Sequence, residues 1–153
     1  MVYKHESYCS EEIIIPGNPI ALKRHRHTKL GHSYNSQCKL MDQISFIVKS
    51  QYLGLQLTGP LSINIIFYMQ IPKSLSLKKQ KQLDGTYHFK KPDLDNLEKM
   101  LADCVVRAGN ILIDDSQISM IKSSKVYSFN PRTEFRINVL NEPRTEIIIE
   151  PAE

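Results

Sequence analysis

The sequence lacks any apolar stretch long enough to cross a bilayer. Its longest runs, at 13–15 and 63–69, fall well short of the roughly 20 residues a spanning helix needs. The opening "MVYKHESYCS" has no apolar segment of the secretory kind, so a cytoplasmic protein is expected. Cysteine is scarce. Cys9, Cys38 and Cys104 are odd in number and match no zinc-ligand spacing, which argues against a disulfide scaffold or a zinc module. They are expected to be reduced and incidental, with Cys104 in the core. There is no internal repeat, no low-complexity segment and no composition break. A chain of 153 residues with 41% hydrophobic residues is therefore expected to form one domain, 1–153, able to bury its own core.

Acid is missing where base is concentrated. Residues 21–40 carry Lys23, Arg24, Arg26, Lys29 and Lys39, with three histidines and no carboxylate. Residues 71–92 carry Lys73, Lys78, Lys79, Lys81, Lys90 and Lys91 against Asp84 alone. The net charge of +4 is modest, but its distribution is not. Two basic blocks can be solvated loops; they also suit a polyanion, because Lys and Arg displace the counterions condensed on phosphate backbones.

Periodicity outlines the elements. "EEIIIPGNPIA" reads as a short strand ended by Pro16, Gly17 and Pro19, and the polar 22–36 as a loop with a small hairpin near Gly31. Leu40, Met41, Ile44, Ile47 and Val48 have helical spacing, with Ser36 as the expected cap and Gly54 as the exit. "GPLSINIIFYMQIP" is a strand, and 73–91 a long basic connection with a turn at Asp84–Gly85. A second helix starts at Asp93 or Leu94. Strands follow over 118–127, in "TEFRINVL" and in "TEIIIEP", the last two joined by the turn "NEPR". The class is α+β (mixed α/β): one mixed sheet packed with two main helices.

The segment "KKPDLDNLEKMLADCVVRAGNILIDDSQI" (90–118) gathers acids at both ends of that second helix. Leu94, Leu97, Leu101, Cys104, Val105 and Ala108 form its apolar stripe, while Asn96, Lys99 and Asp103 share a polar edge. Taken singly, each polar residue has a structural account. Asp93 suits an N-cap, Asp95 answers the positive helix end, and Lys99 with Asp103 makes an i,i+4 pair. Together they ask for more. Gly109 is the expected left-handed stop, after which "ILIDDSQI" can return as a short strand or turn, bringing Asp114 or Asp115 toward Asp93 and Asp95. Carboxylates at such range repel unless a cation sits among them, and oxygen-only ligands select hard ions such as Mg²⁺ or Mn²⁺. An EF-hand loop is excluded, because its fifth, sixth and twelfth places hold Leu97, Glu98 and Cys104. An aspartyl-phosphate site is excluded because "FKKP", not a buried strand, precedes the acids.

This segment resembles the signature of the RusA family of Holliday junction resolvases. The likeness lies in Lys90 and Lys91 ahead of "DLDN", then Lys99, Asp103, "AGN" and "DDSQI". More loosely, "IPGNPIALKRHRHTKLGHSY" resembles the family's N-terminal strand and basic loop, and "PRTEIII" its closing strand. Residues 129–142 look like an extension without a match, and the repeated "PRTE" leaves two candidates for the closing strand. The resemblance implies a homodimeric, Mg²⁺-dependent endonuclease, often prophage-encoded, that nicks four-way DNA junctions symmetrically in recombination and repair. It implies essential carboxylates at Asp93, Asp95 and Asp115, an essential lysine at Lys99, and lesser matches at Asp114, Asp103 and Asn96.

The chemistry expected is metal-assisted phosphodiester hydrolysis. Asp93, Asp95 and Asp115, with Asp114 as a further candidate, would ligate one or two Mg²⁺ ions, and Lys99 would hold the scissile phosphate, neutralise its developing charge or orient the water. Lys23, Arg24, Arg26, Lys29, Lys90 and Lys91 would contact DNA. A C2 dimer would match the junction's symmetry, with the first helix or the strand 61–70 as candidate surfaces. Two other readings fit the same acids: a nuclease for flaps, forks or RNA, and a non-catalytic DNA-binding protein with a structural cation.

Overall fold

The structure, a computed structural model, describes residues 11–23, 26–27, 29–31, 33–34 and 36–140, with the backbone alone at 26–27 and 33–34. Leu61–Gln70 (β4) is the strand around which it is built. Its odd-numbered residues Leu61, Ile63, Ile65, Phe67 and Met69 are buried, while Asn64, Ile66 and Gln70 face outward, as a period of two requires. β4 pairs antiparallel with Arg132–Val139 (β6), which pairs antiparallel with Ile13–Pro16 (β1). On its other side β4 pairs parallel with Ile118–Ser128 (β5), giving the order β1-β6-β4-β5. A parallel pair needs a crossover, and helices Leu77–Leu83 (α2) and Leu94–Ala108 (α3) lie within it. Cys38–Gln51 (α1) packs on α3. The expected small hairpin is Arg26–His27 (β2) against Ser33–Tyr34 (β3).

One core joins the sheet to the helices. Ile13 and Ile15 of β1, Ile63, Ile65 and Phe67 of β4, and Phe135 and Ile137 of β6 meet Val48 of α1 and Leu97, Leu101 and Val105 of α3. The predicted stripe of α3 is buried apart from Leu94, which packs on its rim. The stripe is wider than predicted, because Met100 also turns inward against Met41 and Cys104. No described helix is long and apolar enough to cross a membrane.

Several expectations change. The cap position of α1 is Gln37, not Ser36. The Gln37 amide reaches back to the Ala21 carbonyl and the Lys23 N–H, so it ties the basic loop instead of the helix start. The same helix ends at Gln51, before Gly54. The basic connection contains α2, whose Ser76 cap accepts from the Lys79 N–H. No residue of α2 is buried, so it has no apolar period to reveal it. Residues 132–139 are not an extension but an interior strand, paired on both edges. The second "PRTE" strand and the "NEPR" turn lie outside the described residues. β4 also has neighbours on both sides, so it offers a dimer partner no free edge.

Candidate active site

The chain enters α3 through Pro92 and Asp93. Asp93 occupies the N-cap position with extended backbone, and its carbonyl accepts the Leu97 N–H at 3.2 Å. A capping aspartate normally spends its carboxylate on the first free N–H groups. Asp93 does not: its two oxygens take the Lys91 ammonium at 2.6 and 2.8 Å. Asp95, exposed in the first turn, accepts the Asn96 N–H at 2.9 Å, where the helix's positive end favours an anion.

Three features set the return from α3. Gly109 is left-handed at φ 78°, a conformation that costs any residue with a Cβ, and it ends the helix. Ile111 and Leu112 are then completely buried, which pins the strand of chain that follows. Asp114 next caps a single 3₁₀ turn, Asp115–Gln117, in a reciprocal box: it accepts the Ser116 N–H at 2.8 Å, while the Gln117 side chain accepts the Ile113 and Asp114 N–H groups. The Ser116 N–H bond holds the Asp114 carboxyl below the usual carboxylate range.

That turn aims Asp115 at α3. The Lys99 Nζ donates to Asp115 Oδ2 at 2.9 Å and lies 3.1 Å from Asp103 Oδ1. The hydrogen bond to Asp115, and then that to Asp103, raises the Lys99 pKa above its ordinary value. Asp95, Glu98, Lys99 and Asp115 line one cavity of about 240 Å³, with Ala102, Ile118 and Ile121 as its apolar wall. A larger cavity of about 320 Å³, walled by Ile15, Leu40, Met100 and Cys104, contains no charged side chain. A third cavity, of about 620 Å³, is lined by Glu12, Lys122, Glu134 and Arg136, so it is the meeting of Asp95, Lys99 and Asp115, rather than size or charge alone, that marks the site.

The fold thus brings Asp95, Asp115 and Lys99 to one cavity, with Asp103 attached through Lys99. Asp93 stands at the same helix end but lies outside the lining, and Asp114 is occupied by its own turn. Among the described residues, no three acid, histidine or cysteine side chains converge as a ready-made metal cage. The chemistry of the donors fits a hard divalent cation, because Asp95, Glu98 and Asp115 offer only carboxylate oxygens to the cavity.

Base surrounds this acid. Lys90 and Lys91 are exposed just before α3, and Lys23 and Lys29 are exposed in the N-terminal loop. Arg24 lies outside the described residues, and Arg26 is described in its backbone only. The stem of the loop is tied beside the acids, since the Leu22 N–H donates to the Asn96 carbonyl at 3.0 Å. Sequence reasoning missed Glu98, Ser123 and Lys125. Glu98 accepts a hydrogen bond from the Ser123 hydroxyl, and Lys125 reaches the backbone ahead of Asp93. The available signal was the period of two in β5, which sets residues 121, 123 and 125 on one face.

The chain is 35% identical over 136 residues to a Bacillus subtilis (strain 168) protein named "Uncharacterized protein YqaN", covering 79% of this chain and 90% of that protein. The sequence profile described as "Endodeoxyribonuclease RusA" matches residues 16–138, a span that includes both acid clusters, Lys99, β4, β5 and all but the last residue of β6. The chain belongs to the RusA family of endodeoxyribonucleases.

Proposed function

We propose that this chain is a Mg²⁺-dependent, structure-selective endodeoxyribonuclease that resolves four-way DNA junctions by paired symmetric nicks, in recombination and repair. The observation that carries this reading is the meeting of Asp95, Asp115 and Lys99 at one cavity inside the span that the nuclease family matches.

Asp95 and Asp115, with Asp93 at the same helix end and Asp114 next in line, would hold the cation, with Mn²⁺ able to replace Mg²⁺. A bound divalent ion supplies Lewis acidity toward the phosphate and a more acidic water. Lys99 has a separate task. Asp103 and Asp115 fix its ammonium from two sides at the cavity wall, and there it neutralises charge developing on the attacked phosphate. Asn96 supports the site through its backbone, where its carbonyl holds the stem of the basic loop. Lys90 and Lys91, with Lys23, Arg24, Arg26 and Lys29, would grip the phosphates flanking the cut. A homodimer with C2 symmetry would set two such sites against the two-fold symmetry of the junction.

The test is a cleavage assay on synthetic four-way junction, linear duplex and flap, with Mg²⁺ and then with EDTA. Paired nicks near the branch point that need the metal support the resolvase. Cutting confined to flaps assigns another substrate. Retarded bands without cleavage under any divalent ion make the protein a junction binder and overturn the proposal.

A further inference from the structure

Strand β5 forms a wall of the candidate site, and its helix-facing side chains meet α3 in order. Asp115 enters just before the strand, and Ile121 lines the cavity beside Asp95 and Asp115. Two residues on, the Ser123 hydroxyl donates to Glu98. Two further on, the Lys125 ammonium donates to two backbone carbonyls, those of Lys90 at 2.8 Å and Pro92 at 2.7 Å. These carbonyls belong to the chain that delivers Asp93 and Asp95 to the helix start. The approach is laid along the same strand: Gly85 N–H donates to the Tyr127 carbonyl, Tyr127 N–H to the Thr86 carbonyl and His88 N–H to the Lys125 carbonyl. A single strand therefore begins directly after the turn that carries Asp115 and anchors the backbone in front of Asp93 and Asp95 further along.

A lysine ammonium brings three donors and a charge, and here two of them serve main-chain carbonyls instead of a carboxylate. Neither carbonyl lies within a helix ladder, and hydrogen bonds from a charged donor are the strong kind. Beneath it His88 packs against Tyr127 with ring centroids 4.7 Å apart. Burial, then Lys125 and Lys90, lower the His88 pKa, so the ring stays neutral near the ammonium.

We propose that Lys125 is a positioning residue of the nuclease site. It clamps the backbone of Lys90 and Pro92 to β5 and thereby sets Asp93 and Asp95 at a fixed reach from Asp115. This rests on the metal-nuclease reading above. The clamp matters to affinity for the divalent ion before any DNA is present, because it orders ligands that come from two separate segments of chain.

The experiment uses the full chain with Lys125→Met, Lys125→Gln and Lys125→Arg, and measures Mn²⁺ binding without DNA by calorimetry and electron paramagnetic resonance. Junction affinity in EDTA across a salt series, and cleavage against metal concentration, complete the set. Outer-shell partners typically affect metal affinity by 10–100-fold, so Lys125→Met should bind Mn²⁺ about tenfold more weakly. Its cleavage should recover at high metal, and junction affinity and salt slope should match wild type. Lys125→Gln, which retains one donating group, should fall between, and Lys125→Arg, which can serve both carbonyls, should restore most of the loss. Wild-type Mn²⁺ affinity in Lys125→Met overturns the proposal; should that variant fail to fold, wild-type affinity in Lys125→Gln does so. A fall in junction affinity and salt slope with metal affinity unchanged makes Lys125 a phosphate contact and also overturns it. Asp95→Asn is the separate control. If it binds Mn²⁺ like wild type, the metal reading itself fails and this proposal falls with it.

Discussion

Replacing Lys99 with alanine should separate its proposed catalytic role from stability and from DNA binding. The ammonium touches Asp115 at 2.9 Å and Asp103 at 3.1 Å, but its side chain is 52% exposed. Exposed ion pairs contribute about 0.2–1 kcal/mol each, so removing both should cost at most about 1–2 kcal/mol after screening. For a chain of this size each kcal/mol shifts the midpoint by about 2–4 °C, a loss readable by calorimetry. The catalytic loss should be larger. A donor fixed where charge develops contributes roughly 10²–10³ in turnover, so single-turnover cutting of a four-way junction should slow by about that factor. Junction affinity, measured by gel shift in EDTA, should stay within a few-fold of wild type, because the proposed grip on DNA rests mainly on other basic groups. Equal losses of turnover and affinity would refute the role assigned to Lys99, as would unchanged turnover. The pH behaviour has a definite sign. Lys99 has a raised pKa in the folded chain, so its stabilisation is fully present below the ordinary lysine value of about 10.4 and is lost as pH rises through the folded value. The stability difference between wild type and Lys99→Ala should therefore be flat from neutral pH to about pH 10 and shrink above it.

Asp95→Asn should abolish cutting in Mg²⁺ while leaving junction affinity unchanged or tighter, since it removes negative charge near phosphate; a gel shift beside the cleavage assay reads both. Neutralising Lys23, Arg24 and Arg26 together should weaken junction binding and flatten its salt dependence, by about one unit of slope per lost phosphate contact. Wild-type affinity at several salt concentrations would remove the N-terminal loop from the DNA interface. Gly109→Ala should cost about 1 kcal/mol, because an added Cβ would meet nothing closer than the Arg107 carbonyl at 4.0 Å and the penalty is that of φ 78° alone. Burial pushes the Cys104 thiol up to about 11, so alkylation near pH 8 with peptide mapping should modify exposed Cys38 and spare Cys104 until the protein unfolds.

Periodic elements were legible because their period is their cause. β4 alternates because it has one face on the core, and α3 shows its stripe because it packs on the sheet. α2 has no apolar period because none of its residues is buried, so only the Ser76 cap marks it. Met100 was missed because the second cluster, with Met41 and Cys104, exists only where α1 crosses α3. The box of Asp114 and Gln117 is written in "DDSQ", where a capping aspartate and a metal ligand look alike until the turn that Asp114 caps is seen.

By itself the sequence determined the class of the fold, the apolar face of α3, its stop at Gly109 and the family, because these depend on local conformational preference and on the identity and spacing of residues within about thirty positions. Tertiary structure decided which acids share a cavity. Asp115 meets Lys99 across the gap between its 3₁₀ turn and α3, Asp93 turns to Lys91, and Asp114 caps that same 3₁₀ turn. Tertiary structure also decided that Lys125, far along the chain, holds the backbone in front of Asp93. Such choices depend on the distance between packed elements, and that distance is set by the buried side chains between them, which no local pattern encodes.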